Sequence, residues 1–129
     1  MKIALIIGMP GSGKTTLGRS FPCFIDDITA DGLEELKAAI NRKEQVIAVA
    51  DCYLCFDKTR ANAVKWLTKN AVEYKIEFIF FENNKEKCIR NVNRRMKNGD
   101  NRKVFGLIET LSKVYLVPEN ERVLAIYEN

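Results

Sequence analysis

The chain has 129 residues, enough for one compact domain around a single core and too few for two. Its 47% hydrophobic and 29% charged residues are the mix of an ordinary globular domain, and no run approaches the roughly 18 apolar residues that a membrane span needs. The formal charge of +4 is unevenly placed: Lys85 to Lys103 holds eight basic residues (Lys85, Lys87, Arg90, Arg94, Arg95, Lys97, Arg102, Lys103) against Glu86 and Asp100, so the remainder is slightly acidic. That asymmetry points either to an anionic ligand, phosphate groups or a nucleic acid backbone, or to a solvated helix face.

In chain order, "KIALIIG" is apolar throughout and ends in glycine, as a strand buried on both faces does. It runs straight into a glycine loop with no cleavage-like site, so it reads as a strand and not a signal peptide, and the chain is expected in the cytoplasm with its four cysteines as reduced thiols. A helix starts at Lys14 and stops near Arg19, before Phe21-Pro22. "CFIDD" is a second strand closed by two carboxylates, and Asp31 with Glu34 forms a capping box for "GLEELKAAI". "QVIAVAD" is the third strand. Asp57 caps the helix "KTRANAVKWLTKN", and "KIEFIFFE" is the fourth strand. Asn83 with Glu86 caps "KEKCIRNVNRRMKN", which Gly99 ends; "VFGLIETLSKVY" is a further helix, and "RVLAIYE", after Pro118, is the fifth strand. Alternating strands and helices predict one α/β domain over residues 1–129: a three-layer, five-stranded parallel sheet with helices on both faces and a basic, lid-like segment over about 84–105. Ligands of such sheets sit outside the carboxyl ends of the strands, where Gly8, Asp26, Asp27 and Asp51 fall.

The motif Gly8-x4-Gly13-Lys14-Thr15 satisfies G-x-x-x-x-G-K-[ST] with strand before and helix after. Glycines let the backbone wrap a phosphate with its N–H groups turned inward, and the following helix adds its positive end. The expected donor site is Gly8, Pro10, Gly11, Ser12, Gly13, Lys14, Thr15 and Thr16, with Lys14 reaching the outer phosphates of ATP and the Thr15 hydroxyl holding Mg²⁺. Asp51 is either a carboxylate that orders Mg²⁺ or a helix cap. Asp26 or Asp27 is either a general base toward an acceptor hydroxyl or part of a turn, and two adjacent strand residues point to opposite faces, so one of the pair serves. Arg90 and Arg94, four apart, share a face from which to clamp polyphosphate, and Arg95 points away. With no histidine in the chain, carboxylates are left for both proton and metal work. Cys52-x-x-Cys55 has no second pair to complete a zinc site. "NKEK" at 84–87 lacks the aspartate of a guanine-reading N-K-x-D, which favours ATP. Trp66, Phe78, Phe80 and Phe81 are expected in the core.

"GMPGSGKTT" after "KIALII", "FIDD" after a short helix, "VIAVAD" before an arginine-bearing helix and "IRNVNRR" after a strand resemble the kinase domain of bacteriophage polynucleotide 5′-hydroxyl kinases, within the small P-loop kinases. The resemblance covers nearly the whole chain. It implies a sheet order of 2-3-1-4-5, Asp26 as base, Asp51 on the acceptor and metal side, and Arg90 and Arg94 on the donor phosphates, with Lys14, Asp26 and Arg94 as the catalytic set. It implies transfer of the γ-phosphate of ATP to a hydroxyl, a polynucleotide 5′-hydroxyl or a nucleoside or nucleotide, so that nucleic acid is a possible partner. A nucleotide-binding ATPase or regulatory module without a dedicated acceptor is the alternative. Two departures stand out: the family's acceptor-gripping arginine is Thr29 here, and only Ile28 to Gln45 separates the second and third strands.

Overall fold

The first strand, β1 (Lys2–Ile7), is apolar from Ile3 onward because it is paired on both edges and covered on both faces: Ile3, Leu5, Ile6 and Ile7 have no exposed surface. Each such side chain contributes about 1.5–3 kcal/mol by leaving water. The structure is a computed structural model that describes residues 1–96 and 99–128. The other elements are α1 (Lys14–Gly18), β2 (Cys23–Asp26), α2 (Gly32–Asn41), β3 (Val46–Ala50), a short 3-10 helix (Cys52–Cys55), α3 (Asp57–Asn70), β4 (Lys75–Phe81), α4 (Lys85–Arg95), α5 (Arg102–Val114) and β5 (Val123–Leu124). The five strands form one parallel sheet, as the alternating pattern predicts, in the order β2-β3-β1-β4-β5 that the resemblance implies. The register puts Ile6 beside Ala50 and Ala50 beside Asp26, so β1, β3 and β2 end level and deliver Gly8, Asp51 and Asp26 to one edge.

Local details depart from expectation for identifiable reasons. Asp31 adopts helical angles and makes no side-chain cap; instead the amides of Ala30 and Gly32 both donate to the Asp27 carbonyl, at 2.9 and 3.0 Å, and this backbone turn starts α2. The cap of α4 is Asn84, not Asn83: Asn84 Oδ1 accepts from Lys87 N, while Asn83 Nδ2 donates to the carbonyls of Ser112 and Tyr115 at the end of α5. Asp57 lies inside the first turn of α3, where its carboxylate accepts from Arg60. The last two residues expected in α4, Lys97 and Asn98, lie outside the described residues.

The fifth strand is two residues long instead of the expected seven. Its ladder reaches Leu124, whose carbonyl accepts from Glu82 N. Beyond it, Ile126 N donates to the Glu82 carboxylate and the Tyr127 carbonyl accepts from Asn91 Nδ2, so side chains replace the ladder and lead the tail across α4.

Candidate functional site

The loop between β1 and α1 is built by its glycines and its anchors. Gly11 (φ 85°) and Gly13 (φ 108°) occupy the left-handed region that a side chain resists. A Cβ on Gly11 would stand 2.5 Å from the Cys88 carbonyl, so α4 seats directly on the loop backbone. Ser12 N donates to the carbonyl of buried Met9, closing the turn, and Lys14 Nζ donates to the same carbonyl at 3.0 Å. Burial pushes the Lys14 ammonium below its ordinary value, against the opposing pull of Cys52, Cys55 and Asp26. A desolvated cation beside a loop of backbone amides is a site waiting for negative charge. The helix that follows has only five residues, about the length the sequence predicts, so its dipole adds little and the loop amides carry the attraction. Ser12 Oγ and Asn91 Oδ1 are buried there without a hydrogen-bond partner among the described residues.

Two cavities flank the loop. One of about 400 Å³ lies between Gly11 to Gly13 on one side and Phe81, Asn91 and the tail at Leu124 and Tyr127 on the other. A second, of about 230 Å³, is lined by Lys14, Thr15, Asp26, Asp27 and Cys52. They share Gly11, Gly13, Thr16 and Arg95. A third, of about 240 Å³, opens past Ile28 and Thr29 between α2 and α3.

The carboxylates divide unexpectedly. Asp26 Oδ2 faces the Thr15 hydroxyl at 3.4 Å, and its Oδ1 accepts from Asp27 N. Adjacent strand residues were expected to face opposite ways, yet both aspartates line the same cavity, because β2 ends at Asp26 and Asp27 turns into the left-handed region (φ 54°). Burial, and then the negative charges of Asp26 and Asp51, raises the Asp27 carboxyl above the usual range. Asp51 is 1% exposed: its Oδ2 accepts from the backbone N (2.8 Å) and hydroxyl (2.6 Å) of Thr29, and its Oδ1 from Tyr53 N (2.8 Å). Both of its oxygens are thus engaged in fixing the loop after β2, and it is absent from the lining of the cavity that holds Thr15 and Asp26.

The arginines also sort differently. On α4 the buried residues are Cys88, Asn91 and Val92, and the next position of that face is Arg95. Asn91 Nδ2 donates to the Gly11 carbonyl and to the Tyr127 carbonyl, which turns this face toward the loop and brings Arg95, expected to point away, to both cavities. Arg90 instead pairs with Glu128 of the tail, and Arg94 adds to the positive field on that same carboxylate. The spacing 88, 91, 92, 95 was the available signal for Arg95. Nothing in the sequence marked Asn91.

Among the described residues no group of three or more acidic, thiol or imidazole side chains could hold a metal ion. None of their helices is long and apolar enough to cross a membrane. No protein-family model matches the chain. It is 28% identical to an uncharacterized protein of Acanthamoeba polyphaga mimivirus, over 88% of this chain and 86% of that one. In structure it is similar to a gluconokinase from Sinorhizobium meliloti (TM-score 0.63, 15% identity, 99% of this chain and 84% of that one). It is also similar to Kti12 of Chaetomium thermophilum, solved with ADP-AlF3 (TM-score 0.61, 17% identity, 95% and 88%). The chain shares with these two structures a fold of one five-stranded parallel sheet, in the strand order 2-3-1-4-5, flanked by helices.

Proposed function

We propose that this chain is an ATP-dependent phosphotransferase that moves the γ-phosphate to a hydroxyl acceptor drawn from polynucleotide 5′-hydroxyls, nucleosides, nucleotides and other small hydroxyl compounds. One observation carries the reading: the glycine loop stands between two cavities, with Arg95 lining both and Lys14 lining the second together with two carboxylates. A donor whose nucleoside lies in the larger cavity would place its outer phosphates over the loop, facing Asp26 and Asp27. The structural likeness to a gluconokinase and to a protein solved with ADP-AlF3 supports it at the level of fold.

The residues present fit a magnesium ion, which keeps several waters and needs few protein oxygens: Thr15 Oγ1 and Asp26 Oδ2, 3.4 Å apart, would hold it. When bound, it neutralises charge on the phosphates. Lys14 exchanges the Met9 carbonyl for a phosphate oxygen, which relieves its desolvation, and Arg95 meets charge that develops during transfer. Asp27, with its raised proton affinity and open position, takes the proton of the acceptor hydroxyl; that oxygen bonds to the γ-phosphorus, and the bond to the β–γ bridging oxygen breaks, releasing ADP. Asp51 holds the Thr29 segment so that Asp26 and Asp27 keep their places.

The test is incubation with γ-labelled ATP and Mg²⁺ over a panel of hydroxyl acceptors. Label should pass to an acceptor; Lys14→Ala should weaken both nucleotide binding and transfer, and Asp26→Asn should raise the Mg²⁺ requirement. Phosphate release with no labelled acceptor would establish an ATPase instead. Absence of calorimetric heat with an ATP analogue would refute the reading.

A further inference from the structure

Resting on that phosphotransfer reading, we propose that the acceptor is an uncharged hydroxyl compound with an apolar face, which it seats in the cavity between α2 and α3 while offering its hydroxyl to Asp27. Three observations converge on this. In the transfer cavity the two cations are Lys14, on the glycine loop, and Arg95, which is shared with the donor cavity; the other charged groups of its lining are Asp26 and Asp27. Next to it, across Ile28 and Thr29, the 240 Å³ cavity has no charged residue in its lining: Leu33 and Leu36 of α2 face Ala63 and Trp66 of α3, with Thr59 and Asn62 as polar groups. Finally, Thr29 is held by the buried Asp51 through both its backbone N and its hydroxyl.

An anionic acceptor would therefore meet the carboxylates of Asp26 and Asp27, with the buried Asp51 behind Thr29, and no cation of its own to offset them. A neutral acceptor meets no such repulsion, gains apolar contact with Leu33, Leu36 and the Trp66 ring, and finds hydrogen-bonding partners in Thr59 and Asn62. The cavity volume suits one ring system. Like charges brought together at a partly dry site weaken binding by about tenfold or more.

Matched probes that differ by one phosphate test this: thymidine against thymidine 3′-monophosphate, and glycerol against glycerol 3-phosphate, each with γ-labelled ATP and Mg²⁺ on the full chain. Trp66 is the single tryptophan and lines this cavity, so its fluorescence responds when the cavity is occupied. We expect a neutral member to be phosphorylated with kcat/KM at least about tenfold above its phosphorylated partner, and to perturb Trp66 where the partner does not. Asn62→Arg, a replacement on the exposed side of α3 that places a cation at the cavity, should narrow or invert that ratio. Equal use of both members, or preference for the phosphorylated one, would overturn the acceptor class while leaving phosphotransfer intact. ATP analogue binding with label on no probe would overturn the acceptor class and leave only ATP hydrolysis. Failure to bind the analogue would remove the phosphotransfer reading itself.

Discussion

At the scale of single residues, Asp27 combines a left-handed backbone with a carboxyl raised by burial and by Asp26 and Asp51. An acid held more tightly protonated in the folded state than in the unfolded chain favours folding at low pH. That advantage is lost as pH rises from the ordinary aspartate value, about 4, through the raised one. Asp27→Asn removes this charge and suits the left-handed backbone, which asparagine tolerates. It should therefore raise the melting temperature modestly at pH 7, the side chain being open to solvent, and by less at pH 4, while lowering kcat about 10²- to 10⁴-fold through loss of the base. Parallel thermal melts and initial rates check both halves; a variant that is stabler and fully active would place the base elsewhere. Asp51 is the opposite kind of residue. Removing a buried carboxylate that accepts from Thr29 and Tyr53 should cost about 2–4 kcal/mol in denaturant unfolding of Asp51→Ala. If it were instead a direct metal ligand, the Mg²⁺ dependence of the milder Asp51→Asn would shift, and we expect that dependence to hold.

At the scale of elements, α4 shows what pattern reading reaches and what it misses. Its existence and its basic character follow from Lys85 to Arg95 alone, but its cap lies one residue later than the Asn83-Glu86 spacing implied, because Asn83 is drawn to the end of α5. Arg90 and Arg94 share a helix face, but their spacing does not say which face of α4 is anchored. The anchor is Asn91, through one long-range bond to Gly11 and another to Tyr127, and long-range bonds leave no local signature. β5 was overextended for the same reason, since Glu82 and Asn91 capture the backbone that an apolar pattern assigned to the ladder. The glycine loop and the strand ends were legible because each is a local necessity of backbone shape or of a fully buried strand. Two consequences follow for activity. Arg95→Ala should lower kcat about 10²- to 10³-fold if it meets transition-state charge, whereas Arg90→Ala, which releases an exposed pair with Glu128, should change stability by less than about 1 kcal/mol and leave kcat near that of the parent. Asn91→Ala leaves the Gly11 and Tyr127 carbonyls without this donor, and should lose about 1–3 kcal/mol and raise KM for ATP.

For the whole molecule, the asymmetric charge that first suggested an anionic partner is partly answered from within. Lys85 pairs with Glu109, Lys87 with Glu82 and Arg90 with Glu128, acids outside the run, and Arg102 pairs with Asp100 within it, so part of a basic excess that looks uncompensated when read linearly is offset in the fold. Arg95, meanwhile, faces the loop cavities. A segment arranged this way directs its charge at a bound nucleotide and at its own acidic partners more than at an extended polyanion. If all eight basic residues between Lys85 and Lys103 engaged a single-stranded oligonucleotide, each would release about 0.7 of a counterion, and the slope of log K against log salt would approach about −6. With at least four of them, among the described residues, already in ion pairs that binding would have to break, we expect a shallow slope, smaller in magnitude than about 3. Anisotropy titrations of a labelled oligonucleotide between 50 and 200 mM salt, a range of roughly one Debye-length contraction from 14 to 7 Å, measure it. A steep slope would mean that the ion pairs open readily and that the segment is a nucleic-acid surface after all; a shallow one, together with tight binding of ATP, would confine its electrostatic role to the donor.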